Sequence, residues 1–257
     1  MKSINLVTRV AILLLIFRLS GYSQNIIEYQ YDATNKITGV NYSNSGMKNI
    51  EYDAVNNRIA IVSNQVKSLT VKMYIEGLYN QSENKLNKAH NGSGYAFDGN
   101  IADNIKVELH QNSFPYSKVG NTFITTINTE GNIIISLSSS YAGNYYLVVK
   151  HRNSIETWSA IPISFNGLSI SYDFTSSGSQ AYGSNLKNIA GQYCIYGGDV
   201  NQDGVVDGSD MSLVENASNS ILVGYYNEDS NGDGVVDGAD MAMVDNNSTG
   251  IVHVQKP

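Results

Sequence analysis

Near the C-terminus one short segment is written twice. Gly198-Asp199-Val200-Asn201-Gln202-Asp203-Gly204-Val205-Val206-Asp207-Gly208-Ser209-Asp210 returns thirty residues later as Glu228-Asp229-Ser230-Asn231-Gly232-Asp233-Gly234-Val235-Val236-Asp237-Gly238-Ala239-Asp240. Counted from its first Asp, each copy places oxygen side chains at positions one, three, five, nine and twelve, and glycine at position six. Four carboxylates within twelve residues repel one another unless a cation lies among them. The side-chain donors are all hard oxygens, and a flexible loop of many oxygens suits calcium better than octahedral magnesium. Position seven offers a backbone carbonyl, and position six needs glycine for a sharp turn. The expected ligands are Asp199, Asn201, Asp203, Val205 (carbonyl), Asp207 and Asp210 in the first loop. In the second they are Asp229, Asn231, Asp233, Val235 (carbonyl), Asp237 and Asp240, giving two Ca2+ ions in all. A single such loop also reads as a solvated Asx-turn without metal; two complete copies in register argue against that reading.

Position twelve is Asp in both copies, where the usual EF-hand has a bidentate Glu, and no amphipathic helix pattern precedes either loop. A short helix is expected after each, over Met211–Ala217 and Met241–Asn247. This duplicated loop-then-helix resembles a type I dockerin, the calcium-binding module that docks secreted polysaccharide-degrading components onto cohesin domains. The resemblance runs from about Gly197 onward. It implies a small α-helical, EF-hand-like domain over residues 197–257, a cohesin-like partner, and contact between the paired loops at position eight, Val206 and Val236.

At the other end, Lys2 and Arg9 precede an apolar run from Val10 to Phe17, with small residues at Gly21 and Ser23. Residues 1–23 read as a secretory signal peptide with the mature chain beginning at Gln24; an uncleaved membrane anchor is the alternative. The expected location is therefore secreted, extracellular or at the cell surface, with the periplasm a further option. No other apolar segment is long enough to insert in a membrane after signal cleavage. A single cysteine, Cys194, makes no internal disulfide, and a buried small hydrophobe is its expected role. The net charge of −7 is uneven: from Gly191 onward there are eleven acids against one base, Lys256, whereas Gln24 to Ala190 holds twelve of each. The acidity belongs to the loop module, which makes nucleic acid and anionic membrane poor partners.

Between these ends the chain reads as mainly β. Tyr29-Gln30-Tyr31-Asp32-Ala33 returns as Ile50-Glu51-Tyr52-Asp53-Ala54, and Asn35-Lys36-Ile37 is answered by Asn57-Arg58-Ile59. This resembles the YD repeat of RHS-type proteins, and residues 24–64 are expected as a β-meander. Residues 65–175 alternate as half-buried strands do: Leu69, Val71, Met73 and Ile75 form one row, and Ile105, Val107 and Leu109 another. Further strands are expected over residues 122–127, 132–137, 144–151, 155–160 and 168–174, with turns at Glu130-Gly131-Asn132 and Ala142-Gly143-Asn144. The expected fold is an immunoglobulin- or fibronectin-like antiparallel β-sandwich, with residues 77–103 as an excursion at one end. The run from Tyr145 to Ala160 resembles a module found before dockerin-like repeats in secreted Bacteroidetes-type proteins. Residues 176–196, rich in Ser, Gly and Asn, are expected as a partly ordered linker.

No motif of nucleophilic, metallohydrolase or phosphate-binding catalysis is present, and the four histidines are scattered. Two readings stand for the polar turn of His151, Arg152 and Asn153. It forms a ligand-binding end of the sandwich, or Arg152 pairs with Glu156 across a hairpin while Trp158 fills the core. A glycosidase pair such as Glu108 and Glu156 is a third possibility, since such enzymes need two facing carboxylates. The sequence thus points to a secreted, calcium-binding, non-catalytic interaction or structural protein whose loop module docks a cohesin-like protein or its own β-sandwich. A carbohydrate-binding component of a polysaccharide-degrading assembly is the alternative, and a glycoside hydrolase a more distant one.

Overall fold

The computed structural model describes residues 27–42, 46–52, 58–64 and 66–257, with side chains described over 29–40 and 66–257. The signal-peptide reading lies outside these residues. The chain falls into two compact units, Met1–Lys67 with Ser136–Tyr141, and Ser68–Ile135 with Ala142–Pro257. No described helix is long and apolar enough to cross a membrane.

The first unit holds an antiparallel meander of β1 (Ile27–Tyr31), β2 (Ile37–Tyr42), β3 (Gly46–Tyr52) and β4 (Arg58–Asn64), paired in chain order. The tyrosine of each repeated Tyr-Asp unit sits at the same place in its strand pair. Tyr31 pairs with Ile37 and Tyr52 with Arg58, each just after a register shift. In the first hairpin the reason is visible: Asp32 Oδ1 accepts the backbone N–H of Thr34 at 2.8 Å and of Lys36 at 3.1 Å, so its carboxylate closes the turn.

The second unit takes in most of β5 (Val66–Lys72), then a short hairpin of β6 (Tyr79–Asn80) and β7 (Lys85–Leu86), and the long pair β8 (Ile101–Gln111) and β9 (Lys118–Asn128). The first half of β10 (Asn132–Ser138), then β11 (Asn144–His151), β12 (Ser154–Trp158), β13 (Ile163–Ser164) and β14 (Ser169–Asp173) follow. One sheet runs β10-β5-β14 and the other β12-β11-β8-β9, with β13 beside β11. β14 lies parallel to β5, an exception to the antiparallel expectation. The two expected apolar rows are buried: Leu69, Val71, Met73, Ile75, Ile105, Val107 and Leu109 are at most 1% exposed. Period-two alternation puts each row on one face, and burying that face supplies the driving force.

The segment expected as a linker is folded. It carries two 3-10 turns and a hairpin of β15 (Lys187–Ile189) and β16 (Gln192–Cys194), and the next residue, Ile195, bridges Ile75 in parallel. Cys194 is fully buried, and burial pushes its thiol pKa up. Two helices close the chain, α1 (Gly208–Asn219) and α2 (Gly238–Thr249). Each starts three residues before the apolar pattern suggested, because Asp207 and Asp237 act as N-caps in capping boxes with Asp210 and Asp240.

Candidate metal centre

The duplicated loops fold alike. Gly204 and Gly234 at position six have φ of +91° and +87°, the left-handed region that favours glycine. Asp203 and Asp233 at position five accept the N–H of Val205 and Val235 at 3.0 and 2.9 Å. Asp207 Oδ1 accepts the Ser209 N–H at 2.7 Å, and Asp237 Oδ1 the Ala239 N–H at 2.7 Å. Asp210 reaches back across the first loop, taking the N–H of Val200 and Asn201 on Oδ1 and of Asp207 on Oδ2. Asp240 repeats this with Asn231 and Asp237. Position twelve therefore closes the loop and starts the helix as well as offering oxygen.

Position one is different. Asp199 and Asp229 are 2% and 0% exposed, and the Oδ1 atom of each is buried without a hydrogen-bond partner. Burial, reinforced by the Asp210 charge, pushes the Asp199 pKa up to about 7. Burial also raises Asp229, to about 6, with the nearby Arg152 charge opposing and Asp240 adding to the rise. A buried carboxylate oxygen left bare is costly, and a cation is what such an oxygen fits. The donors in each loop are oxygens throughout, so the residues suit calcium. In the conformation described, Asn201 and Asn231 turn their amides toward Asp203 and Asp233, at 2.9 and 3.0 Å. Among the described residues no three Asp, Glu, His or Cys side chains are drawn into one metal-sized cluster.

The loops do not pair with each other's backbone at position eight. Val206 N–H donates to Val252 O at 2.8 Å, and Val236 N–H to Leu222 O at 2.9 Å, so each loop is matched to the segment after the other copy's helix. Val206 and Val236 instead share one core with Val200, Val214, Val244 and Val252. Ile155 of β12 belongs to the same core, so position eight is spent inside the protein and presents nothing to a partner. A module of roughly 60 residues buries little apolar surface and is marginal alone; this one is completed by the sandwich.

Several contacts make that junction. Glu76 accepts from the Gly197 N–H at 2.9 Å and from Asn247 Nδ2 at 2.8 Å, and pairs with Lys187. His90 N–H donates to Gly232 O at 2.9 Å. Gly77 lies so close to Ser230 that a Cβ there would meet its carbonyl, so the excursion over residues 77–103 packs on the second loop. Arg152 does not pair with Glu156. Its Nε lies 3.3 Å from Asp103 Oδ2 and its Nη1 donates to Tyr226 O and Asp229 O. Glu156 binds Lys150 at 2.8 Å and Trp158 Nε1 at 2.6 Å, and Trp158 is buried as the core reading held. Lys150 also lies 3.3 Å from Glu108, so a lysine stands between the two carboxylates weighed as a glycosidase pair. Hairpin proximity suggested Arg152–Glu156; the signal for the true partners was absent because they lie 49 to 77 residues away in sequence.

Comparison with known proteins bears on this region. A search of the curated proteins found no match. Two solved structures similar to the chain are a C-terminal and an N-terminal interface mutant of the type II cohesin–X-dockerin complex from Acetivibrio cellulolyticus. Each is 16% identical, with a TM-score of 0.42, covering 72% of this chain and 99% of that one. Residues 197–247, which span both loops and most of both helices, match the family model of the Dockerin type I domain.

Proposed function

We propose that this protein is a secreted, non-catalytic docking protein whose C-terminal module holds two calcium ions and engages a protein partner of the cohesin kind. The observation that carries the reading is the pair of buried, unpartnered oxygens of Asp199 and Asp229 in duplicated all-oxygen loops. The dockerin match over residues 197–247 supports it. Asp199, Asn201, Asp203, Asp207 and Asp210, with the Val205 carbonyl, would hold one ion; Asp229, Asn231, Asp233, Asp237 and Asp240, with the Val235 carbonyl, the other. The ions supply the positive charge that lets these carboxylates stay ionised in a folded loop. The chain's own residues then do the rest. Asp207 and Asp237 cap the helices, while the valine core ties both loops together. Leu213 on α1 and Ile221 and Val223 after it stay exposed, by 40%, 78% and 46%, and form the apolar part of the surface offered to the partner. A second reading, docking within the chain, is favoured by the Glu76, His90, Arg152 and Asn153 contacts to the module.

The test is a calcium titration of the full chain by calorimetry and circular dichroism, beside an Asp199→Ala, Asp229→Ala double variant. Calcium should raise the melting temperature of the wild type alone, with affinity in the ~10⁻⁸ to 10⁻³ M span of such loops. A wild type that ignores calcium ends the reading. Capture of a purified cohesin only when calcium is present separates docking in trans from a purely internal role.

A further inference from the structure

The turn between β11 and β12 reaches the entrances of both loops at once. Asn153 is 0% exposed. Its carbonyl accepts the Gly198 N–H at 2.8 Å, one residue ahead of Asp199. Its Nδ2 donates to Asn227 O at 3.0 Å and to Asp229 O at 2.9 Å. Arg152 Nη1 donates to the same Asp229 carbonyl at 2.9 Å and also to Tyr226 O, while its guanidinium stacks 4.6 Å from the Tyr225 ring. Ser154 completes the set, its carbonyl accepting from Gln202 Nε2 at 3.3 Å and its backbone bridging Gly197. A β-hairpin turn has no need of a side-chain amide that spends both its protons on carbonyls 74 and 76 residues away. Asp103, which anchors Arg152, also accepts from the Tyr225 hydroxyl, so the arginine is fixed on both sides.

We infer that Asn153, helped by Arg152, is a positioning residue for both metal loops. It fixes the backbone at the first ligand of each, so that calcium binding in the module and order at this end of the sandwich strengthen each other. The inference rests on the calcium reading given above. Groups that orient ligands without touching the metal commonly set its affinity, and coupling of this kind is reciprocal by thermodynamic necessity.

The full chain is titrated with calcium alone, by calorimetry, as wild type, Asn153→Ala and Arg152→Lys, and amide hydrogen exchange over residues 144–158 is followed with and without calcium. Asn153→Ala keeps the carbonyl that accepts the Gly198 N–H but deletes the amide bonds to Asn227 O and Asp229 O, so it should weaken calcium binding ~10-fold or more at the second loop, less at the first, and remove calcium-dependent protection of the turn. Arg152→Lys keeps the charge but loses the forked donor, and should weaken the second loop alone. If both variants melt at lower temperature yet bind calcium as the wild type does, the turn only glues the two parts together and the inference is overturned. Should Asn153→Ala fail to fold, the Arg152→Lys titration decides. A wild type that binds no calcium overturns the calcium reading itself, whereas a binding wild type with unaltered variants overturns only this inference.

Discussion

The two loops are nearly the same sequence in different neighbourhoods. They differ at three of twelve positions, and each difference matches what lies beside it. Val200 is part of the valine core, whereas its counterpart Ser230 sits buried against Gly77. Gln202 extends to the carbonyls of Asp199 and Ser154; its counterpart Gly232 leaves no room, because a Cβ there would meet Leu78. Ser209 bonds Asp207 and Asn201 through its hydroxyl, and Ala239 has none to offer. The shared positions carry the oxygens proposed to hold calcium. The divergent ones record where each loop sits against the rest of the molecule.

Removing one first ligand is the strongest way to test whether the loops act as two sites. Asp199→Ala or Asp229→Ala alone should reduce calorimetric stoichiometry from two ions to one, and the single variant retaining Arg152 beside an intact Asp229 reports on the second loop by itself. Exchanging the divergent residue comes next. Gly232→Gln should destabilise the chain by about 1–3 kcal/mol through overpacking against Leu78, read as a lower midpoint in urea. The reverse change, Gln202→Gly, gives up two hydrogen bonds worth about 0.5–1.5 kcal/mol each. It also relieves a non-glycine residue at φ +60°, so the net cost should be smaller than that of Gly232→Gln.

The contact on the second loop's side should also respond to acid. Burial alone would raise the Asp103 pKa, but the charges of His151 and Arg152 and the Tyr225 hydroxyl outweigh it and hold the group at about 2, below the ordinary 3.8. A carboxylate with a lowered folded pKa contributes stability above its unfolded value and loses it as pH falls toward the folded one. Stability on the order of 2 kcal/mol should therefore disappear between about pH 4 and pH 2. Asp103→Asn should flatten that part of the pH profile, and a profile unchanged by the substitution would show that the contact carries no such weight. The smallest effect on folding is expected from Leu213→Ser on exposed α1, within about 0.5 kcal/mol, while capture of a cohesin partner should fall.

Much of this was legible locally. The rows Leu69–Ile75 and Ile105–Leu109 are buried because alternation is a local property of strands. The helix starts were legible too, in the Asp-x-x-Asp spacing of Asp207 with Asp210, though the apolar pattern alone set them too late. Arg152 shows the limit: its nearest acid in sequence is Glu156, yet it binds Asp103 and two carbonyls of the loop module. Residues 176–196 show another, since a composition of Ser, Gly and Asn does not reveal that Tyr193 N–H will reach Thr175 O and that Ile195 N–H will reach Tyr74 O.

The sequence by itself determined the oxygen spacing, the turn glycines and the strand periods, because each depends on residues within a few positions of one another. Only the tertiary structure decided that Asn153 stands between both loop entrances, that Gly77 meets Ser230, and that Ile155 completes the valine core. Those contacts join residues far apart in the chain, and their energies exist only once the sheets and helices have packed.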